Sequence, residues 1–273
     1  MRTIRRFGWF VLILVGMWST VPTGVLAQSS PSGKGVIPED RTGNWISTTS
    51  VASYVGDYGT GDKTTITEIA ETLKYRGTQG EIGLTIPYLF RRGGAVTPGE
   101  SRQARTQTVP SDADGIGDLR LKGKYYAIEE TDDAPGVDLT GQIKFPTASE
   151  NDGLGTGRFD AGVGTELFKK IGSFLTFGEI GVLFRDRPSG STIKTTRLDY
   201  AGGIGYPFTE RFTAYVSLEG STKTNTGAEP PLEAVLSGTY KITETVSTNV
   251  FLLAGLTDGS PDYGGGVGLT LRF

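Results

Sequence analysis

From Tyr263 onward the chain alternates. Tyr263, Gly265, Val267, Leu269, Leu271 and Phe273 fall on one side, and Gly264, Gly266, Gly268, Thr270 and Arg272 on the other. One face is apolar; the other is polar or bare backbone. A period of two is that of a β-strand, and unlike faces mean unlike surroundings. The same alternation predicts strands over 44–57, 64–76, 80–91, 115–129, 137–147, 158–169, 174–187, 194–206, 211–224, 231–241, 246–256 and 263–273. Most reach the length of a tilted membrane strand, about 9–11 residues in hydrocarbon.

The connections are sorted. KKIGS (169–173), YPFTER (206–211) and KITET (241–245) are tight, whereas DRPSGSTI (186–193), KTNTGAEPP (223–231) and TDGSPD (257–262) are looser and rich in turn formers. The linker at 91–114 is the longest, and TASENDGLGTG (147–157) is also long. Loops after odd strands are mostly long and those after even strands mostly short, with EETDDAPG (129–136) the main exception. Short periplasmic turns and longer outer loops on an even number of strands describe an outer-membrane barrel. The expected fold is an all-β, up-and-down antiparallel transmembrane barrel of about 12 strands, over residues 44–273. A soluble barrel or sandwich with its apolar face inward alternates in the same way, but the sorted loops and long strands disfavour it.

Aromatics gather at both strand ends. Trp45, Tyr75, Tyr125, Phe208, Tyr240 and Phe273 fall toward one rim, and Tyr54, Tyr88, Phe90, Phe159, Phe184 and Tyr263 toward the other. Two such girdles mark membrane interfaces. In the first and second strands apolar residues are split between faces (Val51 and Val55 against Ile46 and Tyr54), and in the seventh Leu175, Phe177 and Leu183 share a face with Glu179 and Arg185. Either the strand boundaries are off or bulges shift the register.

The polar faces give the candidate lumen-lining residues. They are Asp118, Arg120, Lys122 and Lys124 of the fourth strand, Asp138, Gln142 and Lys144 of the fifth, and Asp160 and Glu166 of the sixth. Arg197, Asp199, Arg211, Glu219 and Arg272 complete the set. A charged constriction selects solutes, whereas mixed signs also suit an ion-pair network that fills the barrel; both readings stand at this stage. The 91–114 loop, with Arg91, Arg92, Arg102 and Arg105, is an expected inward constriction that attracts anionic solutes.

The N-terminus has Arg2, Arg5 and Arg6 before the apolar run Phe7–Trp18, then Val25-Leu26-Ala27. This is the plan of a secretory signal over 1–27, cleaved before Gln28; an uncleaved anchor is the alternative. Residues 28–43 read as a flexible periplasmic lead-in. Removing residues 1–27 from the 273 leaves 246, and the loss of three arginines moves the formal charge from −3 to −6. An acidic chain disfavours nucleic-acid partners. With 0 Cys and 0 His, disulfides are excluded and the usual base of an activated serine is missing, so the protein is not expected to be an enzyme. No cofactor or metal is expected. The glycines of GLGTG are followed by a strand rather than the helix of a nucleotide site, and SDADGIGD (111–118) and SENDG (149–153) do not complete a calcium-loop spacing.

A final strand ending on Phe273 resembles the C-terminal signal that the barrel assembly machinery reads in bacterial outer-membrane proteins. GIGDLRLKGKYY (115–126) and GQIKFPTASENDGLGTGRFDAGVGTELFKK (141–170) resemble the outer-membrane transporters of the meta-pathway of phenol degradation. The likeness lies in a Gly-x-Gly-Asp-Leu strand start, a Lys-Phe-Pro-Thr strand end, the Gly-Leu-Gly-Thr-Gly loop and an aromatic-Asp strand start. It implies a Gram-negative outer-membrane location, partners that are outer-membrane lipid and a small-molecule solute, and a passive channel for small organic, aromatic or anionic solutes. The alternative is a side-chain-filled barrel that binds ligands through its extracellular loops.

Overall fold

The computed structural model describes residues 45–58, 62–93, 110–186, 194–223 and 229–273. The signal segment, the lead-in and most of the 91–114 linker, including Arg102 and Arg105, lie outside the described residues.

The strands are β1 (Trp45–Gly56), β2 (Thr64–Arg76), β3 (Gly80–Gly93), β4 (Ala113–Ile116), β5 (Leu119–Ile128), β6 (Gly136–Phe145) and β7 (Asp160–Ile171). They continue with β8 (Phe174–Arg185), β9 (Thr196–Pro207), β10 (Phe212–Ser221), β11 (Leu232–Lys241), β12 (Val246–Gly255) and β13 (Tyr263–Arg272). All pairings are antiparallel between neighbours, and β1 pairs with β13, which closes the sheet. β4 and β5 form one stave on β3, so the barrel has 12 staves, and no helix occurs among the described residues. Closure leaves no edge with unpaired amides, a condition for a sheet in lipid.

The outward positions form an apolar belt. Val51, Ile69, Leu84, Ile86, Leu139, Val163, Ile180, Val216, Leu236, Leu252 and Leu269 are all exposed. Inside a soluble protein such residues bury themselves; on the outside of a closed barrel they meet lipid. The rim aromatics Trp45, Tyr75, Tyr125, Phe208 and Tyr240 are also exposed, with Trp45 and Tyr75 edge to face at 5.1 Å. Phe273 exchanges backbone hydrogen bonds with Trp45 at 3.0 Å in each direction, so the last residue zips the closing seam. Tyr54 departs from the expected outer girdle: it is fully buried and turned inward.

The split faces of the first, second and seventh predicted strands come neither from displaced boundaries, which lie within two residues of those expected, nor from bulges. β1 pairs with β2 in unbroken register from Trp45↔Tyr75 to Gly56↔Thr64, and β7 with β8 from Asp160↔Arg185 to Ile171↔Phe174. The interior itself is mixed: Ile46, Ala52, Tyr54, Leu175, Phe177 and Leu183 are buried apolar residues pointing into the bore. The fourth predicted strand is the one that breaks. Tyr88 pairs with Ile116 and Thr85 with Arg120, so one extra residue is accommodated at Gly117–Asp118, a bulge. Pro87 of β3 lies opposite. It has no N–H to give the ladder, and its carbonyl accepts from Gly117 N at 2.9 Å. The bulge reverses facing along the stave, with Asp114 and Ile116 outward above it and Arg120 and Lys124 inward below it.

Candidate functional site

The interior positions carry ion pairs that run from strand to strand. At the short-turn end, Glu81 takes Lys74 at 2.9 Å and Arg76 at 3.5 Å. Beside it Lys124 Nζ binds Glu166 and lies 3.8 Å from Asp138. Nearer the middle, Arg120 meets Glu68 at 2.8 Å. At the long-loop end Lys144 bridges Asp118 and Asp160 at 3.0 and 3.1 Å, and Arg197 holds Asp199 at 2.6 Å. Glu219 and Glu233 stand directly opposite each other on β10 and β11. Charges taken out of water are tolerated where they are paired and hydrogen-bonded, which most of these are.

Two apolar arcs interrupt the charges. At the long-loop end Ala52, Tyr54, Ile66, Val235, Phe251 and Leu253 form one cluster. Toward the short-turn end Leu175, Phe177 and Tyr215 form another, with Phe168 against it. Bare backbone makes room for the rings. A Cβ on Gly264 stands 2.5 Å from Tyr54, one on Gly266 2.6 Å from Phe251, and one on Gly205 2.3 Å from Tyr215. This accounts for Gly264 and Gly266 of the last strand, whose inward face is the bed on which the Tyr54 and Phe251 rings lie.

The loop between β6 and β7 folds over the interior face. Leu154 is 2% exposed and packs with Leu89, Ala148 and Ala113. Lys144 donates to Thr156 at 2.8 Å, Ala148 N donates to Asp118 at 3.0 Å, and Arg91 donates to the carbonyls of Pro110 at 2.7 Å and Asp152 at 2.9 Å. The glycines of GLGTG serve this path. Gly153 and Gly157 have φ of 68° and 66°, the left-handed region that disfavours side chains. At Gly155 a Cβ stands 2.6 Å from Ala148. Tyr58, in the loop after β1, has a buried hydroxyl; burial first, then Glu233 and Asp262, pushes its phenol pKa well above the ordinary range.

Of the residues singled out from sequence, Lys124, Asp138, Asp160, Glu166, Arg197, Asp199 and Glu219 are buried on interior positions. Asp118, Arg120, Lys122, Gln142, Lys144 and Arg272 are half-buried on that same face. Arg211 is elsewhere: it is exposed in the turn before β10, where its carbonyl accepts from Lys241 N. The expected 91–114 constriction is described only at its ends, and there Arg91 is spent on clamping the β6–β7 loop rather than facing solute. Sequence reasoning left Glu68, Lys74, Glu81, Arg185 and Glu233, all buried, out of the lumen-lining set, and it placed the buried Arg91 in the constriction loop rather than on the interior face of β3. The alternation of EIGLTIPYLFR (81–91), with Glu81 and Arg91 opposite the Ile82–Tyr88 apolar set, carried that signal for β3.

Three solved structures are among those that share this fold. They are the KdgM porin in complex with disordered oligogalacturonate (10% identity, 83% of this chain and 99% of that one, TM-score 0.51) and the NanC porin (10%, 83% and 100%, 0.50). The third is the translocator domain of the autotransporter NalP from Neisseria meningitidis (11%, 88% and 91%, 0.52). Identities this low speak for the fold, that of an outer-membrane barrel. No curated protein sequence matches the chain. The profile of the family described as MetA-pathway of phenol degradation matches residues 28–273, and the chain belongs to that family.

Proposed function

We propose that the protein is a narrow passive channel of the outer membrane for small organic solutes. The observation that carries this reading is the middle of the bore. There the interior positions are Ser50, Ala70, Gly164, Ala201, Ser217 and Ser237, all small, and the longer side chains Lys122, Gln142 and Glu179 remain half-buried rather than closed off. Bulkier side chains fill the interior on either side, with the β6–β7 loop and the Tyr54–Phe251 cluster at one end and the Phe177–Tyr215 cluster at the other. Mixed charge along such a path biases which solutes pass. The short-turn end is then periplasmic, Phe273 serves as the assembly signal, and residues 1–27 are removed on export.

Single-channel recording of the refolded mature protein beside an Arg120→Ala, Lys122→Ala double variant tests the reading. Discrete steps whose ion selectivity shifts in the variant support it. A second reading, a filled barrel that works through its outer loops, is favoured by the full burial of Tyr54, Arg91 and Glu166. Silence from protein shown to be folded moves the assignment to it.

A further inference from the structure

The short-turn end of the bore holds buried guanidinium nitrogens that have no hydrogen-bond acceptor among the described residues. Ile46 of β1 pairs with Lys74 on one side and Arg272 on the other, so Lys74 and Arg272 share an interior row, and Arg76 is the next interior position toward that end. Lys241 faces inward on β11, paired with Ser247 of β12. Four cations therefore occupy the arc that runs from β11 through β13 to β2. Their counter-ions are fewer: Glu81 serves both Lys74 and Arg76, and Glu244, at 61% side-chain exposure, serves Lys241 at 2.7 Å. Arg272 has no ion-pair partner among the described residues. Arg272 Nη1 and Arg76 Nη2 are both buried without an acceptor.

Buried charged donors without acceptors are costly, and two guanidinium groups on interior positions of β2 and β13, with only the end of β1 between their strands, suit the shared binding of one oxyanion. The wall across the bore has the opposite character. In the closed order of strands β8 stands diametrically opposite β1, and it presents Leu175 and Phe177, backed by Tyr215 of β10 and Phe168 of β7. One side of this end is cationic and the other apolar.

We propose that this end of the bore binds a small organic anion, its carboxylate held between Arg76 and Arg272 and its apolar body against the Phe177–Tyr215 wall. The inference rests on the channel reading for the origin of the ligand, a permeating solute, but the site stands on its own geometry. Inorganic phosphate shares the oxyanion chemistry and lacks the apolar body, so it binds more weakly.

Calorimetric titration of benzoate, and separately of inorganic phosphate, into the refolded barrel in detergent tests the site. The barrel's folding is checked by its heat-modifiable migration on gels. Saturable benzoate binding is expected, weakened by about tenfold or more in Arg272→Gln and in Arg76→Gln and unchanged in Arg211→Gln at the same end. Two separate arginine variants guard against one that fails to fold. Equal binding by wild type and both site variants, or none by folded wild type, overturns the site; phosphate bound as tightly as benzoate overturns its assignment to an organic anion. Benzoate binding by a barrel that never conducts supports the site and sinks the channel, and conduction without binding does the reverse.

Discussion

Thr147 closes the bulge at Gly117 with a single hydroxyl. It donates to the Gly117 carbonyl at 2.9 Å and accepts from the Leu119 amide at 2.9 Å, the two backbone groups that the extra residue removes from the ladder. Asp118, carried inward by the same bulge, receives Ala148 N and pairs with Lys144. The Gly-x-Gly-Asp-Leu and Lys-Phe-Pro-Thr motifs, distant in sequence, are two halves of one joint, and that joint aims the β6–β7 loop at the bore.

Thr147→Val keeps the shape and removes both bonds. It is expected to cost about 1–3 kcal/mol, since two backbone groups lose their partner where water only partly replaces it, whereas Thr147→Ser stays near wild type. Urea unfolding of the refolded barrel, followed by tryptophan fluorescence, reads the difference. Equal midpoints for Val and Ser would show that the bulge holds itself.

Gly264→Ala places a methyl 2.5 Å from the Tyr54 ring, and the other near atoms are the Ser53 carbonyl at 3.1 Å and more of that ring. Overpacking of this kind costs about 1–3 kcal/mol. Because the obstacle is mainly one side chain, Tyr54→Leu is expected to recover much of the loss when combined with Gly264→Ala. A double-mutant cycle on unfolding midpoints checks this; strictly additive effects would separate the glycine from the ring.

Lys124 sits among Glu166, Asp138 and, in the next strand pairing, Glu81. Lys124→Met removes the cation and leaves Glu166 and Asp138 buried side by side, a loss of about 3–5 kcal/mol for breaking a buried pair on one side. The penalty comes from the stranded carboxylates, so Lys124→Met together with Glu166→Gln is expected to be more stable than Lys124→Met alone. Thermal unfolding in detergent orders the three proteins.

The barrel was legible because lipid outside forces a strict period of two on the outward face, and Ile143, Leu139, Val163 and Leu218 obey it without exception. The inward face has no such single rule. Tyr54, Phe177 and Leu183 point into the bore alongside Glu179 and Arg185, so a reading that equates apolar with outward finds β1, β2 and β8 irregular where their register is unbroken. The bulge at Gly117 left only a Gly-Asp pair opposite a proline 30 residues earlier, a pairing visible only once β3 and β5 are side by side. Charge partners such as Glu68 for Arg120 are likewise set by the closing order of strands rather than by proximity in sequence.

Arg91 ties the β6–β7 loop to the barrel through the carbonyls of Pro110 and Asp152 while being itself wholly buried. Arg91→Gln shortens the side chain and removes both charge-assisted bonds, each worth about 1.5–3 kcal/mol, but leaves the Leu154 contact and the Lys144–Thr156 bond. The loop is therefore expected to loosen without the staves coming apart. Limited trypsin digestion should then cut at Arg158 in folded variant and spare the wild type, and single-channel conductance should rise, because the loop covers interior surface at the long-loop end. Cleavage with unchanged conductance would mean that the loop opens but does not set the narrowest point, leaving that role to the Tyr54–Phe251 cluster or the arginine end. Conductance that rises only when Leu154→Ala is added would instead place the hold on the apolar contact with Leu89 and not on the arginine clamp.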